Sequence, residues 1–106
     1  SWNYLSKCLD SLIEQDSGTP NIVIVDNFSN DGKIQEFESQ YKSVKWIKLS
    51  YNSGFSTACN IGAIHAKSPW VLFLNPDSIV PKDCFKKLIP FCERNKNYDS
   101  TKRVYY

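Results

Sequence analysis

Apolar positions along the chain alternate between helical spacing and short continuous runs. The first helical pattern predicts a helix over about residues 3–15. The runs NIVIVD at residues 21–26 and VKWIKL at residues 44–49 are typical of strands, and a weaker helical pattern lies between them. The apolar face of the first helix consists of Leu5, Cys8, Leu9, Leu12 and Ile13.

The same alternation continues towards the carboxyl end. Helical spacing over residues 56–66 predicts a third helix, and the apolar run Trp70–Leu74 predicts a third strand. Pro81 suits the first turn of a fourth helix, whereas Pro90 should end or kink that helix because proline lacks the N–H. Strict alternation favours an α/β fold with a parallel sheet. Such a fold normally begins with a strand, so a leading strand is expected upstream of Ser1.

Composition and charge narrow the function classes. A chain of 106 residues suits one small domain. Its 13 basic and 11 acidic residues are spread along the sequence, without the basic block that a nucleic-acid groove or an anionic membrane surface would require. The longest apolar run is too short to span a bilayer. We therefore expect a globular domain with no nucleic-acid partner and no transmembrane segment.

The cysteines Cys8, Cys59, Cys84 and Cys92 form no CxxC pair. Zinc sites usually take closely spaced ligand pairs, and the lone His65 adds no partner. Buried, reduced thiols are therefore expected instead of a zinc site. His65 is interpreted as a surface or packing residue because it lies at the far end of the third predicted helix.

Polar, turn-forming residues follow each predicted strand. The strands end at Asp26-Asn27, at Asn52-Ser53-Gly54 and at Asn75-Pro76-Asp77. Ligands of open parallel sheets bind beyond the carboxyl ends of the strands. Because these three ends should share one edge of the sheet, this edge is the predicted ligand site.

Each of the two carboxylates at this edge allows two interpretations. Asp26 is either an acceptor for a ligand or a turn-forming or helix-capping residue. Asp77 follows Pro76, which fixes the backbone, so its carboxylate either binds a hard cation such as Mg²⁺ or forms a simple Asx turn. Gly54 and Gly62 would let the backbone approach a ligand or the sheet, and the helix between them could favour a phosphate at its N-terminus.

Three segments together resemble one known family. IVIVDNFSNDG, NSGFSTACNIGAIHA and WVLFLNPDSIVP are similar, in order and spacing, to the nucleotide-binding half of family 2 glycosyltransferases with the GT-A fold. Rhamnosyltransferase-like members are the most similar, because they carry Asn-Pro-Asp where others carry Asp-x-Asp. The resemblance covers about residues 1–92.

The resemblance implies a site for a nucleotide-diphospho-sugar donor. Asp26 would recognise the base, and Asp77 would ligate Mg²⁺ or Mn²⁺ bridged to the diphosphate. The implied chemistry is inverting transfer of the sugar to an acceptor hydroxyl that a base deprotonates. The other implied donor-site residues are Asn27 and Ser29 at the base pocket, Asn52, Gly54 and Asn60 near the ribose and diphosphate, and Asn75 facing the ribose.

The sequence also departs from the family pattern. The family's first strand, which lies in the middle of the sheet, is absent, and the catalytic base is expected beyond Tyr106. The expected fold is therefore α/β, a Rossmann-like GT-A three-layer sandwich with a parallel sheet, lacking its first strand and its acceptor half. Residues 1–106 would form a single partial nucleotide-sugar-binding domain, inactive alone, whose exposed strand edges favour pairing between copies.

The biology implied by the resemblance is synthesis of a bacterial surface polysaccharide. The acceptor would be a saccharide or a lipid-linked molecule, and the protein would be cytoplasmic or peripheral at the inner face of the membrane. One alternative is a receiver-type phosphoacceptor domain, although no paired acidic dipeptide follows an early strand. Another is a non-catalytic interaction module that keeps the fold.

Overall fold

The computed structural model describes residues 2–29, 32–66, 68 and 70–94. The helices and strands of this part of the chain alternate as expected up to α3, which α4 follows without an intervening strand. Two compact units result: a helical unit from residues 1–20 and 69–106, and a sheet unit from residues 21–68. The elements are α1 Trp2–Ile13, β1 Val23–Asp26, α2 Lys33–Gln40, β2 Lys45–Lys48, α3 Phe55–Ile64 and α4 Cys84–Arg94.

The sheet unit is built on two parallel strands. β1 pairs with β2 from Val23 opposite Lys45 to Asp26 opposite Lys48. The Leu49 N–H donates to the Asp26 carbonyl at 2.9 Å, which extends the pairing past the strand ends. The predicted parallel strands are confirmed, although each has four residues instead of six.

Helix α3 packs closely on β1 because a glycine faces the strand. A Cβ added at Gly62 would lie 3.3 Å from Val25 Cγ2, which is tighter than an ordinary contact, so a larger residue would require Val25 to shift by a few tenths of an ångström. Ala63, next to it, is buried. The expectation that Gly62 serves close packing against the sheet is confirmed.

Helix α2 contributes an aromatic cluster to the sheet unit. The Phe37 ring stacks on Tyr41 with centroids 5.9 Å apart and meets the edge of Trp46 at 6.5 Å. Trp46 Nε1 also donates to the Tyr41 carbonyl at 3.2 Å. This cluster joins the end of α2 to β2 and buries the apolar side of both.

The helical unit contains α1 and α4. Helix α1 buries the face that its spacing predicts, and Leu9 is 1% exposed. The expectations that Pro81 lies in the first turn of α4 and that Pro90 ends this helix are wrong. Pro81 lies outside the helix, where its carbonyl accepts from Cys84 N–H at 3.0 Å, and Pro90 lies inside a helix that continues to Arg94. A proline removes only one helical hydrogen bond, so the next turn can still form. No helix among the described residues is long and apolar enough to cross a membrane.

The predicted third strand is also wrong. Residues 70–75 have no helix or strand assignment, and the described sheet consists of β1 and β2 alone. A strand requires a neighbouring backbone that completes its ladder of hydrogen bonds, whereas an apolar run supplies only the side chains. The apolar run Trp70–Leu74 therefore has a high strand propensity, but this propensity alone does not produce a strand.

Candidate functional site

The carboxyl end of β1 continues into a turn that closes on the Asp26 side chain. Asp26 Oδ1 accepts a hydrogen bond from Ser29 N–H at 3.1 Å. Phe28, between them, has a φ of 67°, in the left-handed region that non-glycine residues seldom adopt. Asp26 thus forms a turn, as one interpretation held. Within the described residues its second carboxylate oxygen has no donor, which leaves an acceptor for a ligand. Residues 30 and 31 of the predicted turn lie outside the described residues.

Asn27 joins this turn to the loop that precedes α3. Asn27 Oδ1 accepts from Ser53 N–H at 2.7 Å and from Ser53 Oγ at 3.1 Å. Asn27 Nδ2 donates to the Gly54 carbonyl at 3.2 Å. Two of the three predicted polar strand ends are therefore in direct contact within the sheet unit. We call this set of bonds the Asn27 clamp.

Gly54 begins α3 in a conformation that requires glycine. Its φ of 83° and ψ of 163° lie in a region that other residues essentially do not adopt. The Gly54 N–H donates to Asn52 Oδ1 at 3.0 Å, and the Gly54 carbonyl accepts from Ala58 N–H at 3.1 Å. The helix has no side-chain cap, so N–H groups of its first turn stay available to an anion.

Asn60 stands apart from this group. It lies on the exposed side of α3, about 9 Å along the helix axis from Gly54. The structure brings Asp26, Asn27, Ser29, Asn52 and Gly54 together at the loops and places Asn60 further along the helix.

Exposed aromatic side chains near these loops were missed by the sequence analysis. Phe28 is 48% exposed, Tyr51 is 65% exposed and Phe55 is 78% exposed. Aromatic faces of this kind can stack on nucleobases. Their positions in the sequence could have indicated this exposure, because each aromatic residue is next to a turn residue and does not belong to the apolar spacing of a helix or strand.

The Asn75-Pro76-Asp77 stop forms a β-turn in the helical unit. The Ser78 N–H donates to the Asn75 carbonyl at 3.0 Å, and proline at the second position fixes the turn. Because the closing bond joins backbone to backbone, the turn does not use the Asp77 carboxylate. That side chain is exposed and, among the described residues, has no hydrogen-bond or ion-pair partner.

Helix α1 holds the chain on both sides of this turn. The Cys8 thiol lies 4.0 Å from the Asn75 carbonyl, and the Val80 N–H donates to Ser11 Oγ at 3.0 Å. Burial, and after it the negative charge of Asp77, raises the pKa of the Cys8 thiol. Cys8 is therefore a neutral donor to the turn at ordinary pH and a poor nucleophile.

The side chains of the described residues determine what kind of metal site Asp77 could belong to. No group of three or more His, Cys, Asp or Glu side chains that could hold a metal ion occurs in the described part of the chain. Mg²⁺, however, usually binds through one or two carboxylates together with waters and substrate phosphates. A single exposed carboxylate fits that kind of shared site and does not fit a site made of protein ligands alone.

Among the described residues, the cysteines and His65 do not form a group that could hold a metal ion. All four cysteines are free, with Cys8 and Cys92 buried and Cys59 and Cys84 partly exposed. Full burial was therefore predicted correctly for two of the four. His65 is exposed at the end of α3, where Nδ1 lies 2.9 Å from the Ile61 carbonyl. It is a surface residue, as expected.

Comparison with known proteins identifies the family. The sequence matches the model of glycosyl transferase family 2 over residues 1–106. The minor teichoic acid biosynthesis protein GgaB of Bacillus subtilis is 29% identical over 89% of this chain and 11% of its own length. The poly(ribitol-phosphate) beta-glucosyltransferase of Bacillus spizizenii is 28% identical over 92% of this chain and 16% of its own length.

A solved structure shows the same architecture. The crystal structure of S. aureus TarS 1–349 is 27% identical and has a TM-score of 0.76, covering 90% of this chain and 30% of that chain. The chain thus spans between 11% and 30% of the lengths of these three proteins. The predicted α/β, Rossmann-like GT-A class is confirmed, and the receiver-type alternative is wrong. The chain belongs to glycosyltransferase family 2.

Proposed function

We propose that this protein binds a nucleotide-diphospho-sugar together with a divalent cation and contributes to transfer of the sugar to an acceptor hydroxyl. The observation that carries the proposal is the Asp77 carboxylate, which is exposed and is held in a proline-fixed turn that does not use it. Family membership supports the same reaction. The names of the relatives favour synthesis of a bacterial surface polymer such as a teichoic acid.

The sheet unit would hold the nucleoside part of the donor. Asp26 has a second carboxylate oxygen to which no described residue donates and which would accept from an N–H of the base, and Ser29 closes the turn beside it. Asn52 and Gly54 would line the ribose and diphosphate, where the uncapped start of α3 favours negative charge. Asn60 is assigned to the same region with less support, because it lies away from the loops.

The helical unit would hold the diphosphate and the metal. Asp77 would ligate Mg²⁺ or Mn²⁺, which supplies positive charge for the departing nucleoside diphosphate. Asn75 would face the ribose from the same turn. The rigid backbone at Pro76 reduces the entropy lost when these side chains engage a ligand.

The remaining features of the reaction are predictions. They are inverting stereochemistry, a catalytic base beyond Tyr106, and an acceptor that is a saccharide or a lipid-linked molecule. Organisation of residues 1–106 as one partial donor-binding domain, a location in the cytoplasm or at the inner face of a membrane, and pairing of copies through strand edges are also predicted.

The test is nucleotide binding by calorimetry. We would titrate the chain with UDP and with dTDP, with and without Mn²⁺, and compare Asp77→Asn with the control Asp16→Asn, an exposed carboxylate of the same unit. The expected result is Mn²⁺-dependent binding that weakens by about tenfold or more in the Asp77 variant only. A folded chain that binds neither nucleotide would favour the non-catalytic interaction module instead.

A further inference from the structure

We infer that Asn27 is a positioning residue of the donor site, one that acts through the backbone of Ser53 and Gly54 instead of touching the nucleotide. The inference rests on the proposed function, because it assigns a role within the same site. The resemblance to the family had placed Asn27 at the base pocket without distinguishing these two roles.

The bonding capacity of the side chain carries the argument. An asparagine amide has two acceptor positions on its oxygen and two N–H donors. In Asn27 both acceptor positions are filled, by the N–H and the hydroxyl of Ser53, and one donor is used by the Gly54 carbonyl. Among the described residues a single N–H is left without an acceptor, so Asn27 could accept nothing from a base, and could donate no second bond, without breaking bonds that hold the loop.

The target of the clamp explains why it matters. Gly54 has the backbone conformation that other residues avoid, and no atom of the described residues lies within 4 Å of the position that a Cβ would take. Its conformation is therefore not enforced by packing. The Gly54 N–H donates to Asn52 Oδ1 at 3.0 Å, and the Gly54 carbonyl accepts from Asn27 Nδ2 at 3.2 Å as well as from Ala58 N–H, so two amide side chains add to the helix bond in fixing this glycine.

The clamp thereby links two parts of the donor site. Asn27 lies within the turn that closes on Asp26, and the clamp joins this turn to the start of α3. With the clamp closed, the base-binding carboxylate and the N–H groups of the first turn of α3 hold a fixed separation. Preorganisation of this kind improves affinity without a new contact to the ligand.

The first experiment measures hydrogen exchange of the Ser53 amide in the absence of nucleotide. Asn27→Ala should speed that exchange by about tenfold, because it removes the acceptor of this N–H. Asn27→Asp keeps the acceptor and should retain the protection. Asn21→Ala, an exposed asparagine at the opposite end of β1, is the matched control and should leave the exchange unchanged. Equal exchange in the native chain and in Asn27→Ala overturns the inference.

The second experiment measures the Kd for UDP or dTDP in a double-mutant cycle with Ser53→Ala. We expect Asn27→Ala to weaken binding by about tenfold and the double variant to bind no worse than Asn27→Ala, because Asn27→Ala already removes the bond that the Ser53 hydroxyl makes to the clamp. Additive losses would mean that Asn27 acts separately from Ser53, by direct contact with the nucleotide, and would overturn the inference. Unchanged binding in Asn27→Ala would overturn it as well. Absence of nucleotide binding by the native chain would instead overturn the proposed function. The titration of the native chain alone gives this result, so it can be distinguished from failure of the inference about Asn27.

Discussion

The two units each rely on one amide side chain that bonds to distant backbone. In the helical unit, Gln15 Nε2 donates to the Pro81 carbonyl at 2.7 Å, and Gln15 Oε1 accepts from Phe85 N–H at 3.1 Å. In the sheet unit, Asn27 accepts from Ser53 and donates to the carbonyl of the next residue. Both side chains use the same chemistry, with the oxygen as acceptor of a backbone N–H and the nitrogen as donor to a carbonyl.

The environments of the two amides differ. Gln15 is 5% exposed, whereas Asn27 is partly exposed. Water can replace the bonds of Asn27 if they break, whereas it reaches the buried amide of Gln15 less easily, so loss of Gln15 should cost more stability. The same hydrogen-bond pattern should therefore control folding stability in the helical unit and geometry in the sheet unit.

The largest expected effect tests the buried amide. Gln15→Leu keeps approximate size but leaves the Phe85 N–H, in the first turn of α4, without its partner, and it leaves the Pro81 carbonyl with the Cys84 N–H alone. We expect the free energy of unfolding to fall by about 3 kcal/mol. Urea denaturation measures this, with Gln35→Leu, an exposed glutamine on α2, as the control. If Gln15→Leu lost no more stability than Gln35→Leu, burial would not explain the expected difference between Gln15 and Asn27.

The next effect tests the sheet unit through the residue that Asn27 holds. Gly54→Ala should lower the free energy of unfolding by about 1–3 kcal/mol, because alanine is strained at a φ of 83° and ψ of 163°. Gly32 has a φ of 74° and ψ of −3°, a left-handed conformation that asparagine tolerates. We therefore expect Gly32→Asn to cost less than Gly54→Asn in the same denaturation experiment. Equal losses would mean that the Gly54 loop relaxes and that the clamp does not fix it.

The sequence was informative wherever an element depends on its own side chains. The apolar spacing of α1 predicted its buried face, and the β-branched run that becomes β1 predicted a strand. Trp70–Leu74 has an equally strong strand pattern but no assigned strand. The difference is that β2 pairs with β1, while strand formation at residues 70–74 depends on a partner that local sequence cannot specify.

The candidate site, too, has features that the sequence predicts and features that only the structure shows. The polar stops at Asp26 and Asp77 were visible because turn residues directly follow apolar runs. The bonds that hold the stops were not visible, since they join residues far apart in sequence. Asn27 and Gly54 are separated by 27 positions, and Gln15 and Phe85 by 70. No local pattern encodes such pairs, so the positioning role of Asn27 emerged only from the fold.

The smallest expected effect concerns pH and the helical unit alone. Burial and the charge of Asp77 raise the pKa of the Cys8 thiol above its ordinary value of 9.0. The folded chain therefore keeps this proton at a pH where the unfolded chain loses it. The resulting stabilisation is complete below pH 9.0 and is lost as the pH rises from there through the raised pKa of the folded state.

Stability curves at pH 8 and pH 10 would measure this loss, with Cys8→Ala compared with the native chain so that other groups titrating in this range cancel. The native chain should lose more stability than the variant, and Cys59→Ala controls for removal of a thiol from the sheet unit. Asp77→Asn should reduce the loss only in part, because burial is the larger cause. If Asp77→Asn removed this loss of stability fully, the charge of Asp77 and not burial would be the main cause of the raised pKa of Cys8. Burial would then explain less of the behaviour of the helical unit than the comparison of Gln15 with Asn27 suggests.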